Sequence, residues 1–435
     1  MTADMTAEPM PQAAPSGAPA PLDWGEDTAE YLAALRSGLT TARDTDYLLL
    51  EQDLPEDALR ARRAVRSFVD RDVLPVINGY WERAEFPYEL LEPLAATGVV
   101  GGALAEHGGP GLSRLAAGLA TVELSRGDGS LNTFMGVQAN LSMGTINLLG
   151  SEEQRRRWLP DMAALRRIGA FALTEPRHGS DSVHLETSAR REGDTWVING
   201  AKRWIGNGSM AHLVIVFARD VADGEVKAFV LERADPRDPE DRPEGFDYEV
   251  IEGKVGKRAI LQANLSFRDV RIPEDNRLPG ARGFRDVSRV LATTRGGASW
   301  EALGHALACY EAAATYAQVR EQFGRPIGAN QLVQGTLAGM LTELTAIQLL
   351  CHRMAALQEA GQWTGTMASI AKMHTADKAR WIARQARDLL AGNGLLLDFH
   401  VARHLTDMEV VHTYEGTEFI QSLLIGRKVT GQDAL

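Results

Sequence analysis

The sequence predicts an α+β protein: a helical N-terminal region, a middle β-region most simply read as antiparallel, and a helical C-terminal region. Three observations carry this. Apolar residues recur at helical spacing from Pro55 to about residue 165. From about 168 to 275 short apolar runs, alternating or continuous, are separated by turn signals. After Pro279-Gly280 helical stripes return in longer stretches. The expected divisions are a disordered tail over 1–44, a helical domain over 45–167, a β-domain over 168–279 and a helical domain over 280–435.

Met1 to about Asp44 is rich in Ala, Pro, Thr and acids, and Met1–Pro21 in particular buries too little to offset its ordering entropy. Ala58, Ala61, Val65, Phe68 and Val69 then share a helical face that ends before Pro75. Pro87–Thr97 reads as a second helix, with Pro87 in its first turn and a glycine-rich stop at Gly98–Gly102. Ser113–Arg126, Leu131–Leu149 and Glu152–Leu165 complete the first helical region. In the β-region, Thr195–Ile198 is a strand leading to Asn199-Gly200, a pair favoured in tight hairpins. Leu213–Ala218 and Lys227–Leu231 are continuous apolar strands, and Ala263, Leu265 and Phe267 alternate with Asn264, Ser266 and Arg268. Phe284–Gln322, Leu332–Ala360 and Thr364–Leu390 are long helices, the last stopped by Gly392-Asn393-Gly394.

Composition excludes several classes. With 46 basic and 58 acidic residues the net charge is −12, and the longest basic run is Arg155-Arg156-Arg157, so nucleic acid and anionic membrane are not expected partners. No apolar stretch approaches the length of a membrane-spanning helix. Cys309 and Cys351 sit in helix-like apolar surroundings and read as small core residues. His400 and His404 are four apart, but Val401 stands where a zinc-protease helix needs glutamate, so no metal is expected. The N-terminus has neither the apolar stretch of a signal peptide nor the arginines of a mitochondrial presequence, and a cytoplasmic location is expected.

Four signatures stand in order. They are Phe171-Ala172-Leu173-Thr174-Glu175-Pro176 running on to Ser180-Asp181; Lys202-Arg203-Trp204-Ile205-Gly206-Asn207; Arg320-Glu321-Gln322-Phe323-Gly324 with Gln331; and Ala391–Gly394 followed by Thr413-Tyr414-Glu415-Gly416-Thr417. In this order and spacing the chain resembles the acyl-CoA dehydrogenase/oxidase superfamily of flavoproteins, from residue 55 to 435. The ending is similar to the glutaryl-CoA dehydrogenase and plant-type short-chain acyl-CoA oxidase branch. The resemblance implies an acyl-CoA dehydrogenase-like fold with a C-terminal four-helix bundle, and FAD between β-domain and bundle. It also implies a homotetramer in which a second subunit completes each cofactor site.

Residue by residue, the resemblance implies cofactor contacts at Phe171, Leu173, Thr174, Trp204, Gly206, Arg320, Phe323, Gln331, Asp388, Gly392 and Thr417. Trp204 would offer a flat wall to a flavin ring, and Arg320 a fork for a pyrophosphate; Trp204 read on its own is a β-domain core residue. Ser180, Asn132, Tyr414 and Gly416 would meet substrate. Glu415 would be the general base that removes the α-proton of an acyl-CoA thioester, with Arg295 close by. The implied activity is FAD-dependent dehydrogenation to a trans-2-enoyl-CoA in fatty-acid or amino-acid catabolism, with electrons passed to an electron-transfer flavoprotein.

Three departures bear on this. Asn132 stands where glutaryl-CoA dehydrogenases carry an arginine for the distal carboxylate, which disfavours a dicarboxylic substrate. Gly206 replaces a threonine common among the dehydrogenases and matches the oxidase branch, leaving room beside a flavin where oxygen would react. Phe419 replaces a polar cofactor contact of many relatives. The alternatives are therefore an acyl-CoA oxidase, a glutaryl-CoA dehydrogenase and, from another class, a non-catalytic flavoprotein scaffold. Leu131, Phe134 and Met135 read equally as the lining of a shallow apolar acyl pocket and as ordinary core.

Overall fold

A computed structural model describes residues 25–238 and 240–433. Residues up to Ser37 and residues from Gly38 onward are two separate units. The first contains α1 (Glu26–Arg36), with Glu26 and Asp27 in its first turn and Arg36 in its last, matching the helix dipole. This helix corrects the expectation of a disordered tail reaching residue 44. The same expectation for 1–24 lies outside the described residues.

In the second unit α2 (Glu56–Phe68) buries the expected Ala58, Ala61, Val65 and Phe68 and continues into a wider turn over Val69–Val73. Where one helix was expected over Pro87–Thr97, a single 3₁₀ turn leads into a short helix. The short helices here are α3 (Ile77–Arg83) and α4 (Leu91–Ala96). Ser113 caps α5 (Arg114–Gly127) by accepting from the Ala116 N–H. The expected helix over Leu131–Leu149 is a rod in three parts: α6 (Gly129–Met135), a wide-wound stretch over Gly136–Met143, and α7 (Gly144–Leu149). A capping box of Ser151 and Gln154 opens α8 (Glu152–Ala163).

The strands β1 (Gly169–Ala172), β2 (Ser188–Glu192), β3 (Thr195–Gly206), β4 (Leu213–Asp220), β5 (Val226–Glu232), β6 (Phe246–Val250) and β7 (Gln262–Pro273) form one sheet. It is mixed, which corrects the antiparallel expectation. β1 and β2 both run parallel to β4, with Phe171 opposite Ile215 and Ser188 opposite Arg219. The β2–β3, β3–β7, β6–β7 and β4–β5 pairs are antiparallel. The chain leaves β1, makes the β2–β3 hairpin and returns beside β1 in the same direction. Side-chain alternation fixes which face is buried, not the direction of the neighbour. Asn199-Gly200 is likewise not a turn: β3 runs straight through it with a register shift. Gly200 has φ 151°, and a Cβ there would lie 2.5 Å from the Thr187 hydroxyl, so the glycine serves a close approach. The sheet core includes Ala170, Trp196, Ile198, Val214, Val216, Phe229, Leu265 and Phe267.

The C-terminal region opens with α9 (Phe284–Val319), followed by a small hairpin of β8 (Glu321–Gln322) and β9 (Arg325–Pro326). Then come α10 (Gln331–Glu359), α11 (Gly365–Leu389), α12 (Val401–Thr413) and α13 (Glu418–Thr430). α9 packs on α10, α11 and α12, α13 packs on α11, and α5 lies against α9 and α10. The rod after α5 joins the helices to the sheet. Gln138 accepts from the Gly169 N–H at 2.7 Å and donates to the carbonyls of Met162 and Arg167, each at 2.9 Å. Among the described residues no helix is long and apolar enough to cross a membrane.

Candidate active site

Between the end of α12 and the start of α13 the backbone turns sharply: Glu415 has φ 57° and Gly416 φ 89°. A left-handed glutamate costs roughly 1–2 kcal/mol, so its surroundings must hold it. Two buried side chains do so. Gln421 donates Nε2 to the Glu415 carbonyl at 2.8 Å and the Gly416 carbonyl at 3.1 Å. Lys372, on α11, donates Nζ to the His412 carbonyl at 2.8 Å and the Gly416 carbonyl at 2.7 Å. Thr417 caps α13, its hydroxyl accepting from the Ile420 N–H. A Cβ on Gly416 would lie 2.3 Å from Gln421 Nε2, so this position admits only glycine without rearrangement.

The Glu415 carboxylate accepts from the Thr294 hydroxyl at 3.2 Å. Burial pushes this carboxyl above its ordinary value, against the pull of Thr294, Arg295 and Lys372, and Glu301 adds to the rise. The residue as a whole is partly exposed; the rise reflects the dry surroundings of the carboxyl group. Arg295 follows Thr294 on α9, and its buried Nε has no hydrogen-bond partner among the described residues. The Glu415 N–H likewise has no acceptor among the described residues. One residue thus offers a raised carboxylate and an unengaged backbone donor.

Next to it, Tyr414 enters a buried polar cluster that the sequence did not reveal. Its hydroxyl bonds to Glu301 and accepts from Lys257 Nζ at 2.8 Å. Lys257 also pairs with Glu301 and donates to the Thr133 hydroxyl at 2.7 Å. Burial opposes charge on Glu301, but Lys257 and His305 hold its carboxyl down to about 2. Asn132, one position before Thr133 on α6, is also buried.

On the sheet side, Phe171 and Leu173 are buried at the end of β1, and the Thr174 carbonyl accepts from the Arg203 N–H at 2.9 Å. Trp204 overturns its core reading: it lies in the irregular part of β3, has φ 62° and is 52% exposed. An outward-facing indole on a strained strand is a platform for a flat ring. Gly206 corrects a second expectation. A Cβ there would lie 2.9 Å from Val137 Cγ2 on the wide-wound stretch, so the room expected beside it is filled.

Not all expected residues come together. Ser180 is exposed on the loop after β1. Arg320, Phe323, Gln331, Asp388 and Gly392 gather toward the far end of the bundle. Arg295 and Arg320 are separated along α9 by ~37 Å, at about 1.5 Å per residue. Phe323 is fully exposed with φ 54°, and Asp388 bonds to Arg387 at 2.9 Å. Phe419, which replaces a polar cofactor contact of many relatives, is also exposed. Glu175, His178 and Glu186 lie close enough to share an ion, but Glu175 is already paired with Lys202 at 2.8 Å and accepts two backbone N–H groups.

Sequence reasoning missed Thr294, Gln421, Lys372, Lys257, Glu301 and Val137. Lys372 left one signal: it falls on the stripe of Ala368, Ala371, Thr375, Ala376 and Ala379, where a lysine needs a reason to be buried.

Family models for acyl-CoA dehydrogenases match the chain in three parts: the N-terminal domain over residues 55–166, the middle domain over 170–270 and the C-terminal domain over 281–430. The mitochondrial short-chain specific acyl-CoA dehydrogenase of Bos taurus is 34% identical over 379 residues, covering 86% of this chain and 90% of that protein. A crystal structure of glutaryl-CoA dehydrogenase from Mycobacterium smegmatis is similar with a TM-score of 0.86 and 38% identity, covering 90% of this chain and 100% of that one. Another glutaryl-CoA dehydrogenase structure from Mycobacterium smegmatis, in complex with FADH2, has a TM-score of 0.84 and 36% identity, covering 89% and 97%.

Proposed function

The chain belongs to the acyl-CoA dehydrogenase family of oxidoreductases acting on CH–CH bonds, and on that premise we propose that it dehydrogenates a short-chain, non-dicarboxylic acyl-CoA to the trans-2-enoyl-CoA. The observation that carries this reading is the turn at Glu415. Its carboxylate is raised toward the basicity an α-proton demands, and its own N–H is unengaged. The carboxylate takes the α-proton. The N–H donates to the thioester oxygen as negative charge grows there, and Gln421 and Lys372 keep the turn from relaxing. Arg295 supplies positive charge beside the same carboxylate.

The family uses FAD, which when bound takes the β-hydrogen as hydride. The residues present fit it. Trp204 offers an open aromatic face, Thr174 stands at the end of β1, and Arg320 offers a fork for pyrophosphate. Arg320, Phe323 and Gln331 lie too far from Glu415 to serve the same cofactor within one chain, which supports a homotetramer whose neighbouring subunits complete each site. The electron acceptor in this reading is an electron-transfer flavoprotein. Val137 filling the space at Gly206 favours that acceptor over oxygen. The similarity to glutaryl-CoA dehydrogenases favours a dicarboxylic substrate as the second reading. Against it, Lys257, which donates to the hydroxyl of Thr133 next to Asn132 in sequence, is already neutralised by Glu301.

Anaerobic titration of the yellow protein with C4 to C8 acyl-CoAs and glutaryl-CoA, followed by air, separates these readings. Bleaching by short monocarboxylic thioesters that survives minutes in air is expected. Rapid recolouring with peroxide means an oxidase, and bleaching by glutaryl-CoA alone reverses the substrate assignment. Glu415→Gln is expected to keep its flavin and lose turnover. Full turnover in that variant removes Glu415 as the base.

A further inference from the structure

We propose that Lys372 is a positioning residue for Glu415, tying together the two sides of the turn that carries the base and setting the charge around its carboxylate. This rests on the reading of Glu415 as the base. The geometry is specific. His412 belongs to the last turn of α12, where carbonyls lack helical partners, and Gly416 lies on the far side of Glu415. One ammonium bonds to both carbonyls, so the α12 end and the turn cannot separate without breaking a buried charge-assisted contact. Placing a cation at a helix C-terminus is also favourable in its own right. Lys372 itself is 1% exposed, and its two hydrogen bonds go to these two carbonyls.

The charged groups facing Glu415 come from two elements: Arg295 and Glu301 on α9, and Lys372 on α11. Lys372 in turn faces Glu415, Glu418 on α13 and Arg295. Burial lowers the Lys372 ammonium to about 8, with the two glutamates opposing the fall. Lys372 and Arg295 favour an ionised Glu415, whereas Glu301 and burial favour a protonated one. Removing the lysine therefore leaves the base protonated to higher pH.

The test is the pH profile of kcat/KM for a short acyl-CoA with Lys372→Met and Lys372→Arg, alongside flavin content and thermal midpoint. In Lys372→Met the acid limb is expected to move up by about one pH unit, with kcat reduced at neutral pH and flavin retained. Lys372→Arg, which keeps the charge, is expected to return the limb toward the wild-type position. If Lys372→Met does not fold, Lys372→Gln keeps a donor and is expected to show the same displacement. An unmoved limb with only a lower thermal midpoint overturns the proposal and leaves Lys372 a structural clamp. Running Glu415→Gln in parallel separates the failures: full turnover there removes the base and this proposal with it, whereas an inactive Glu415→Gln with an unmoved limb condemns Lys372 alone.

Discussion

The contact between Gly206 and Val137 makes a quantitative prediction. Adding a Cβ at position 206 brings it to 2.9 Å from Val137 Cγ2, whereas carbon atoms in contact sit at about 3.5–4.0 Å. Gly206→Thr on its own therefore overpacks a buried junction and is expected to cost about 1–3 kcal/mol. Val137→Ala removes two methyl groups from a side chain that is only 8% exposed and is expected to cost roughly 1–2 kcal/mol. In the double variant the threonine occupies the vacated volume. Its destabilisation should fall short of the sum by about 1–2 kcal/mol, a coupling typical of side chains in contact. Denaturant unfolding of the four flavin-loaded proteins in a double-mutant cycle reads this directly. The rate at which the substrate-reduced enzyme recolours in air is a second readout: Val137→Ala should speed it and Gly206→Thr/Val137→Ala should reverse the gain. Additivity within about 0.3–0.5 kcal/mol would refute the idea that Val137 fills the position-206 space.

Other outcomes follow from the same site. Gly416→Ala must carry a side chain at φ 89° and displace Gln421 from two carbonyls. A loss of about 2–3 kcal/mol is expected, combining left-handed strain with lost buried hydrogen bonds, read as a lower thermal midpoint together with reduced turnover. The base acts ionised and its carboxyl is raised, so kcat/KM should rise with pH along a limb lying above the ordinary carboxyl value of 4.5. Thr294→Val, which removes a hydrogen bond that favours ionisation, should push that limb higher still. Lys257→Met strands a buried Glu301 and is expected to cost about 3–5 kcal/mol, whereas Lys257→Met/Glu301→Leu should recover most of it; thermal midpoints of the flavin-loaded proteins decide.

The helices were legible because their apolar stripes repeat, and α2 buries the residues its spacing marks. The direction of β1 was not, since alternation is the same beside a parallel or an antiparallel neighbour. Asn199-Gly200 misled for a related reason: the pair suits a turn, but here the glycine admits Thr187 against a strand that continues. Tyr414-Glu415-Gly416 could be read from the chain because it is contiguous. Lys257 and Glu301, which anchor Tyr414, are far apart in sequence and meet only in the folded protein. Trp204 shows the limit of composition-based odds: tryptophan is usually inside, and a left-handed backbone at one strand position turns this one out.

The length of α9 has a consequence for how the protein behaves on dilution. If Trp204 of one copy and Arg320 of another grip the same dinucleotide, loss of cofactor and separation of subunits become a single linked equilibrium. Flavin content should then depend on protein concentration, and added FAD should draw dispersed chains back together. Chains carrying Arg320→Ala, mixed with chains carrying Glu415→Gln, would yield mixed assemblies in which some sites are spared both defects and others carry both.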